Sequence, residues 1–287
     1  MKQTQGEKVF QVFLIIFVLF ISMIMIYPFV HVLSVSFSTA PEALRPGIHL
    51  YPKEVSLFAW RRVLSSDSVW RAMTVTTFRT VLGTILTLIF MSMAAYPLSR
   101  KSLPHRTFYT MFIIITMFFS GGLIPTYLLI KSLGLINSLW VYIIPGLVST
   151  FSMLILRNFF MQIPAELEDS ARIDGASDMR ILATIIIPLS KPVLATLALW
   201  SAVGHWNAWF DSMIYMQDKT KITVQLFLRR LVISNMGDPM MPTPSVEQTP
   251  ETVKSAIIMF TALPILIVYP FLQKYFVNGI MIGSLKG

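Results

Sequence analysis

PAELEDSARIDGASDMRILATIIIP, residues 164–188, sets five acids and two arginines between two long apolar runs. The chain around it is 55% hydrophobic and only 13% charged, with a mean hydropathy of +0.68. That charge fraction is about half of what a water-soluble domain carries. In such a chain a dense polar stretch reads as an excursion out of a bilayer. Working outward from it, a helix needs about 20 apolar residues to cross the hydrocarbon core. Six runs qualify, at roughly 9–30, 73–97, 108–130, 139–156, 193–214 and 255–273. The expected fold is an all-α integral membrane protein with six transmembrane helices in one domain, 1–287. The first run follows Lys2 and Lys8, is longer than a signal-peptide core, and is read as an uncleaved first span.

Local signals give the polar segment a shape. Pro164 suits the opening of a helix, where its missing N–H costs nothing. Glu166, Glu168 and Asp169 then fall in the first turns and Arg172 toward the last, as the helix dipole favours. Glu168 and Arg172 are spaced i,i+4 and are expected to pair. Gly175 is placed to stop the helix in a left-handed conformation, and Ser177 to cap the next one. Helix, sharp turn, helix makes a rigid protruding knob. The smallness of Ala171 would let a partner surface approach closely, and the acids would face basic groups on it.

The pattern Asp169-Ser170-Ala171-x-x-Asp174-Gly175, nine residues, Ile185-x-Ile187-Pro188 resembles the EAA loop of ABC importer permeases. The usual family form is Glu-Ala-Ala-x-x-x-Gly, nine residues, Ile-x-Leu-Pro, so Asp169-Ser170 depart from it conservatively. The resemblance implies a type I ABC importer transmembrane domain. It implies that Glu166, Glu168, Asp169, Ser170, Ala171, Arg172, Asp174 and Gly175, within a coupling loop at about 160–190, dock on an ATPase subunit. The partners implied are a second homologous permease, two ATP-binding subunits, an external sugar-binding protein and an oligosaccharide. ATP and magnesium would sit on the partners, this chain having no cofactor of its own.

Two further stretches agree in order along the chain. The end, from Tyr275 to Gly287, is similar to the tail of the smaller permease of maltose importers. That likeness implies ATPase contact by residues 277–287, through Gly279, Gly283, Lys286 and Gly287. Residues 119–138, FSGGLIPTYLLIKSLGLINS, resemble a segment of sugar-importer permeases, and Phe-Ser-Gly-Gly-Leu-Ile-Pro resembles a branch handling acidic oligosaccharides such as alginate and pectic fragments. Physically, Gly121, Gly122 and Pro125 are expected to break or kink the third span.

Ser201, His205, Trp206 and Asn207 place hydrogen-bonding and aromatic groups at membrane depth in the fifth run, a composition suited to lining a sugar path. Arg79, in the second run, is expected to snorkel to the headgroups. An interfacial helix is expected in 55–72, with Leu57, Trp60, Val63 and Leu64 on one face. The proline-rich 236–250 reads as the tip of an external loop at about 215–254.

Other functions fit poorly. There are no cysteines, the four histidines lack helical metal spacing, and no Gly-x-x-x-x-Gly-Lys-Ser/Thr loop is present. The chain is therefore read as a non-enzyme. An ion-coupled transporter needs carboxylates inside its spans, and only Asp211, near the end of one, qualifies. The net charge of +9 comes from residues between spans, without a basic stripe, so nucleic acid is not an expected partner. Lysines and arginines number eleven on each side of a six-span layout. Arg100, Lys101 and Arg106, free of acidic neighbours in a short loop, break the tie and place both termini in the cytoplasm of a bacterial inner membrane.

Overall fold

The computed structural model describes residues 4–233 and 249–284, with the backbone alone from 269 onward. The first four helices are α1 (Gln5–Ser36), α2 (Ala40–Ala43), α3 (Phe58–Leu64) and α4 (Asp67–Ser99). Next come α5 (Arg106–Phe118), α6 (Leu123–Ser132), α7 (Thr150–Phe160), α8 (Glu166–Ile173) and α9 (Asp178–Ile181). The last five are α10 (Ile187–Leu189), α11 (Lys191–Asn207), α12 (Phe210–Tyr215), α13 (Val224–Ile233) and α14 (Pro250–Ser284). No strand forms among the described residues; one isolated antiparallel bridge joins Ser38 and Val55.

Three helices are long and apolar enough to cross a bilayer alone: α1, α4 and α14 as far as Val268. Three more spans exist only as bent pairs, which brings the number to six. Residues 106–132 bend by 114° between α5 and α6, and Leu139–Gly146 meets α7 at 50°. Residues 178–189 meet α11 at 86°. The expected break at Gly121-Gly122 is present: Gly122 caps α6 at φ +83°, a backbone angle that glycine adopts without penalty. At the third corner, Pro192 lacks an N–H and disfavours helical geometry at Lys191, so the chain turns at Ser190. The straight helix of the fifth span, α11, ends at Asn207 instead of running to 214.

The chain divides into two compact units, one holding the residues up to Trp70 and Leu228–Leu263, the other Arg71–Phe227 and the chain from Pro264. In the first unit, α1 is apolar on all sides and exposed over residues 9–20 and 23–29, the state of a helix whose solvent is lipid or a partner. Glu42 is buried and accepts the backbone N–H groups of Glu54 (2.7 Å) and Lys53 (2.8 Å), which hold its carboxyl below the usual range. The expected helix within 55–72 is α3, and its apolar face is divided. Trp60 stacks on Phe37 and donates to Ser36 Oγ at 3.2 Å, and Val63 is buried, whereas Leu57 and Leu64 stay exposed. His31 and His49 meet edge to face at 5.3 Å, a proximity their spacing in sequence does not announce. The second unit holds the polar segment, and its core gathers Met91, Tyr96, Leu98, Leu156, Phe160, Ile181, Ile186 and Leu197 from α4, α7, α9–α10 and α11. The expected loop tip at 236–250 lies almost wholly outside the described residues.

Candidate functional site

The polar segment folds as a two-helix knob. Helix α8 ends in a Schellman motif: Gly175 N–H donates to the Arg172 carbonyl (3.0 Å) and Ala176 N–H to the Ala171 carbonyl (2.9 Å). Gly175 sits at φ +78°, the left-handed position expected of it. Ser177 then caps α9 by accepting the Arg180 N–H. Pro164 stands just before the N-cap, Ala165. Beyond α9, Leu182–Ile186 winds as a π-helix before α10.

The root of the knob is charged and buried. Glu168 forms an ion pair with Arg100 at 2.5 Å and accepts the Tyr96 hydroxyl at 3.1 Å. Arg100 also lies over the Tyr96 ring, 5.0 Å from its centroid. The Glu168 side chain is only 4% exposed. Two sequence expectations are thereby corrected. Glu168 does not pair with Arg172, which turns instead to Asp178 at 3.0 Å, a hydrogen bond that raises its pKa. Nor does Glu168 face outward, because Arg100 and the Tyr96 hydroxyl are both within reach of its carboxylate. Ala171 likewise packs inward, against the core cluster, so its small size serves the knob's own seating. A second tie runs alongside: Arg157 of α7 donates through Nε to the Leu98 carbonyl at 2.9 Å.

The outer surface of the knob carries Glu166, Asp169, Ser170, Arg172, Asp174 and Gly175, all exposed. Among them stand apolar residues that the sequence reading passed over: Leu167, Met179 and above all Ile173, 87% exposed. Together the three give the acid-rich tip an apolar component; Ile173 between Arg172 and Asp174 was the signal available in the sequence. Tyr96 and Arg100 were missed because nothing local links them to a loop some 70 residues away.

The four residues expected to line a path separate. Ser201 and His205 are half-buried, Asn207 is exposed, and Trp206 is buried, 7% exposed. His205 packs on Gly83 of α4 so tightly that a Cβ there would stand 2.6 Å from Nε2. Beyond α11, Arg79 and Asp211 form a bidentate ion pair, Nη1 to Oδ1 at 3.1 Å and Nη2 to Oδ2 at 2.5 Å. Arg79 also donates to the Ala208 carbonyl and lies 4.5 Å from the Tyr142 ring centroid. With its side chain 3% exposed, Arg79 does not snorkel; a carboxylate and a carbonyl at the broken end of α11 hold it inside. Tyr142 donates to the Lys221 carbonyl at 2.8 Å and joins Ser212 Oγ at 2.9 Å, which braces the same break. At the chain end, helix α14 runs through Gly279 and Gly283, while Lys286 and Gly287 lie outside the described residues.

Residues 81–282 match the family model described as binding-protein-dependent transport system inner membrane component. The chain is 40% identical over 284 residues to the polygalacturonan/rhamnogalacturonan transport system permease protein YtcP of Bacillus subtilis, covering 98% of this chain and 99% of that protein. It is 29% identical to the trehalose/maltose transport system permease protein MalG of Thermococcus litoralis, over 98% and 99% of the two chains. Among solved structures, a chain of a bacterial ABC transporter involved in the import of the acidic polysaccharide alginate superposes with a TM-score of 0.90 at 31% identity. That match covers 96% of this chain and 99% of the other. The fold is that of a type I ABC importer transmembrane domain, and the chain belongs to the family of binding-protein-dependent transport system inner membrane components.

Proposed function

We propose that this chain is one of two homologous permease subunits in an ABC importer that takes up acidic, uronate-containing oligosaccharide. Two ATP-binding subunits would carry the ATP and magnesium, and an external binding protein would deliver the sugar. The observation that carries this reading is the knob: a buried root and a water-facing tip with Ile173 unpartnered. Glu166, Asp169, Ser170, Arg172, Asp174 and Gly175 surround that tip and would meet an ATPase groove, with the termini and the loops 98–107 and 157–192 in the cytoplasm. The tail from 277 to 287 would reach the same subunits. ATP-driven closure of the ATPase pair draws the knobs together and shifts the population of a bistable pore. Ser201, His205 and Asn207 remain the candidates for the sugar path. The acidic substrate class is supported by likeness to the polygalacturonan and alginate systems; the trehalose/maltose relative supports a neutral oligosaccharide as the second reading.

Ile173→Asp, Asp169→Lys and Gly175→Pro test the docking role in membranes expressing the full complex. Each is expected to insert normally, lose most co-purifying ATPase and abolish uptake. Retention of ATPase and uptake in all three would sink the assignment. Uptake insensitive to vanadate but collapsed by an ionophore would favour an ion-coupled transporter instead. A binding panel of uronate and neutral oligosaccharides against the partner binding protein decides the substrate class.

A further inference from the structure

Glu168 is the one acid of the knob that cannot meet an ATPase, because its carboxylate is sealed against Arg100 and Tyr96. A loop helix ordinarily passes motion to the elements contiguous with it, here α7 before it and α9–α11 after it. Both routes are compliant. The stretch leading into α7 bends by 50°, and the path out of the knob carries a π-helical segment and an 86° corner at Ser190. Helix α4 differs: it runs as one helix for 33 residues, its single proline, Pro97, standing only in the last turn. Its end is held twice, by Glu168 of the knob and by Arg157 of α7 through the Leu98 carbonyl.

We propose that Glu168 is a positioning residue which fastens the coupling knob to α4, making α4 the rigid rod that carries ATPase-driven motion to the Arg79–Asp211 cluster. The geometry supplies each link. Arg79 and Gly83 lie on α4, roughly 25–30 Å of helix rise from Arg100. Gly83 is in close contact with His205, and Arg79 holds both Ala208 and Asp211 at the point where α11 breaks. A displacement entering at Glu168 therefore arrives at the break between α11 and α12. An ion pair suits the joint because it resists shear in a fixed geometry where an apolar contact would slide. The Tyr96 hydroxyl fixes the second carboxylate oxygen, so the side chain cannot rotate out of line.

This inference rests on the docking role proposed above, and the experiment keeps the two apart. The complete complex is reconstituted with its binding protein in liposomes, and ATP hydrolysed per oligosaccharide imported is measured. Glu168→Gln and Arg100→Gln are expected to keep the ATPase subunits bound and hydrolysing, while the ATP cost per sugar rises about tenfold. Exchanging the charges, Glu168→Arg with Arg100→Glu, is expected to bring the ratio back to within about threefold of the original. Tyr96→Phe, which removes a single hydroxyl and leaves the core packing whole, is expected to raise the ratio about twofold and serves if the charge variants fold poorly. Loss of the ATPase subunits from Glu168→Gln would make Glu168 a docking residue and overturn the proposal. An unchanged ratio in Glu168→Gln, Arg100→Gln or Tyr96→Phe, with docking intact, would overturn it as well. Ile173→Asp reports on docking alone: if it keeps the ATPase, the underlying reading fails whatever Glu168 does.

Discussion

Helix α4 holds one buried arginine within its length and is followed by a second, partly buried one, and the two ion pairs are built in opposite senses. At Arg79 the cation is sealed, its side chain 3% exposed, and its partner Asp211 is open at 26%. At Arg100 the anion is sealed, Glu168 at 4%, and the cation is the more open at 15%. A guanidinium keeps its charge in any protein setting, so a sealed arginine needs a permanent counter-charge. A sealed carboxylate needs donors for both oxygens, and Arg100 and the Tyr96 hydroxyl stand one at each. The difference assigns the two ends different work. The Arg79 pair closes a break inside a membrane span, where an unpaired charge is costly. The Arg100 pair lies just past the end of α4, where α8 also presents its N-terminal dipole to three acids.

The contrast makes a ranked set of expectations. Asp211→Asn strands Arg79 inside a membrane span and should cost about 3–5 kcal/mol, while Arg100→Gln, which leaves Glu168 the Tyr96 hydroxyl as a donor, should cost about 2 kcal/mol. Thermal melts of the purified complex in one detergent order the two. The reverse order would break the comparison. A smaller effect tests the knob's turn by itself. A methyl group on Gly175 would meet nothing within 4 Å, and φ there is +78°, so Gly175→Ala should cost only the left-handed penalty of about 1–2 kcal/mol. A larger loss would mean that the knob uses the glycine for contact as well as for conformation.

The parts of this architecture that were legible in the sequence are those decided by a residue and its near neighbours. Gly175, Ser177 and Gly122 need only their own backbone angles and the next few N–H groups, and each stands where its chemistry placed it. The apolar runs gave the spans, and Gly121-Gly122 gave the 114° bend. What escaped was tertiary choice. Glu168 had a satisfactory i,i+4 partner in Arg172 and took Arg100 instead, 68 positions away. Arg79 had a route to the headgroups and took Asp211, 132 positions away. Trp206 looked suited to a sugar path and went into the core, because a helix of period 3.6 cannot turn four near-consecutive residues toward one cavity. A single chain read without partners offers no local signal for any of these. Ile173 is the exception, an exposed isoleucine whose purpose is visible only once the helix around it is seen to be complete.

The claim at the centre of this account is that knob and α4 move as one body. The chain has no cysteine, so Met93→Cys on α4 and Ala165→Cys at the start of α8 give a clean pair of spin labels. Distances are measured by pulsed EPR in the reconstituted complex, without nucleotide and with trapped ATP. The account predicts that the separation holds to within about 2 Å between the two states, and that it spreads when Arg100→Gln is added. A change of about 5 Å or more with Arg100 and Glu168 intact would contradict it, because the knob would then be moving past α4 instead of carrying it.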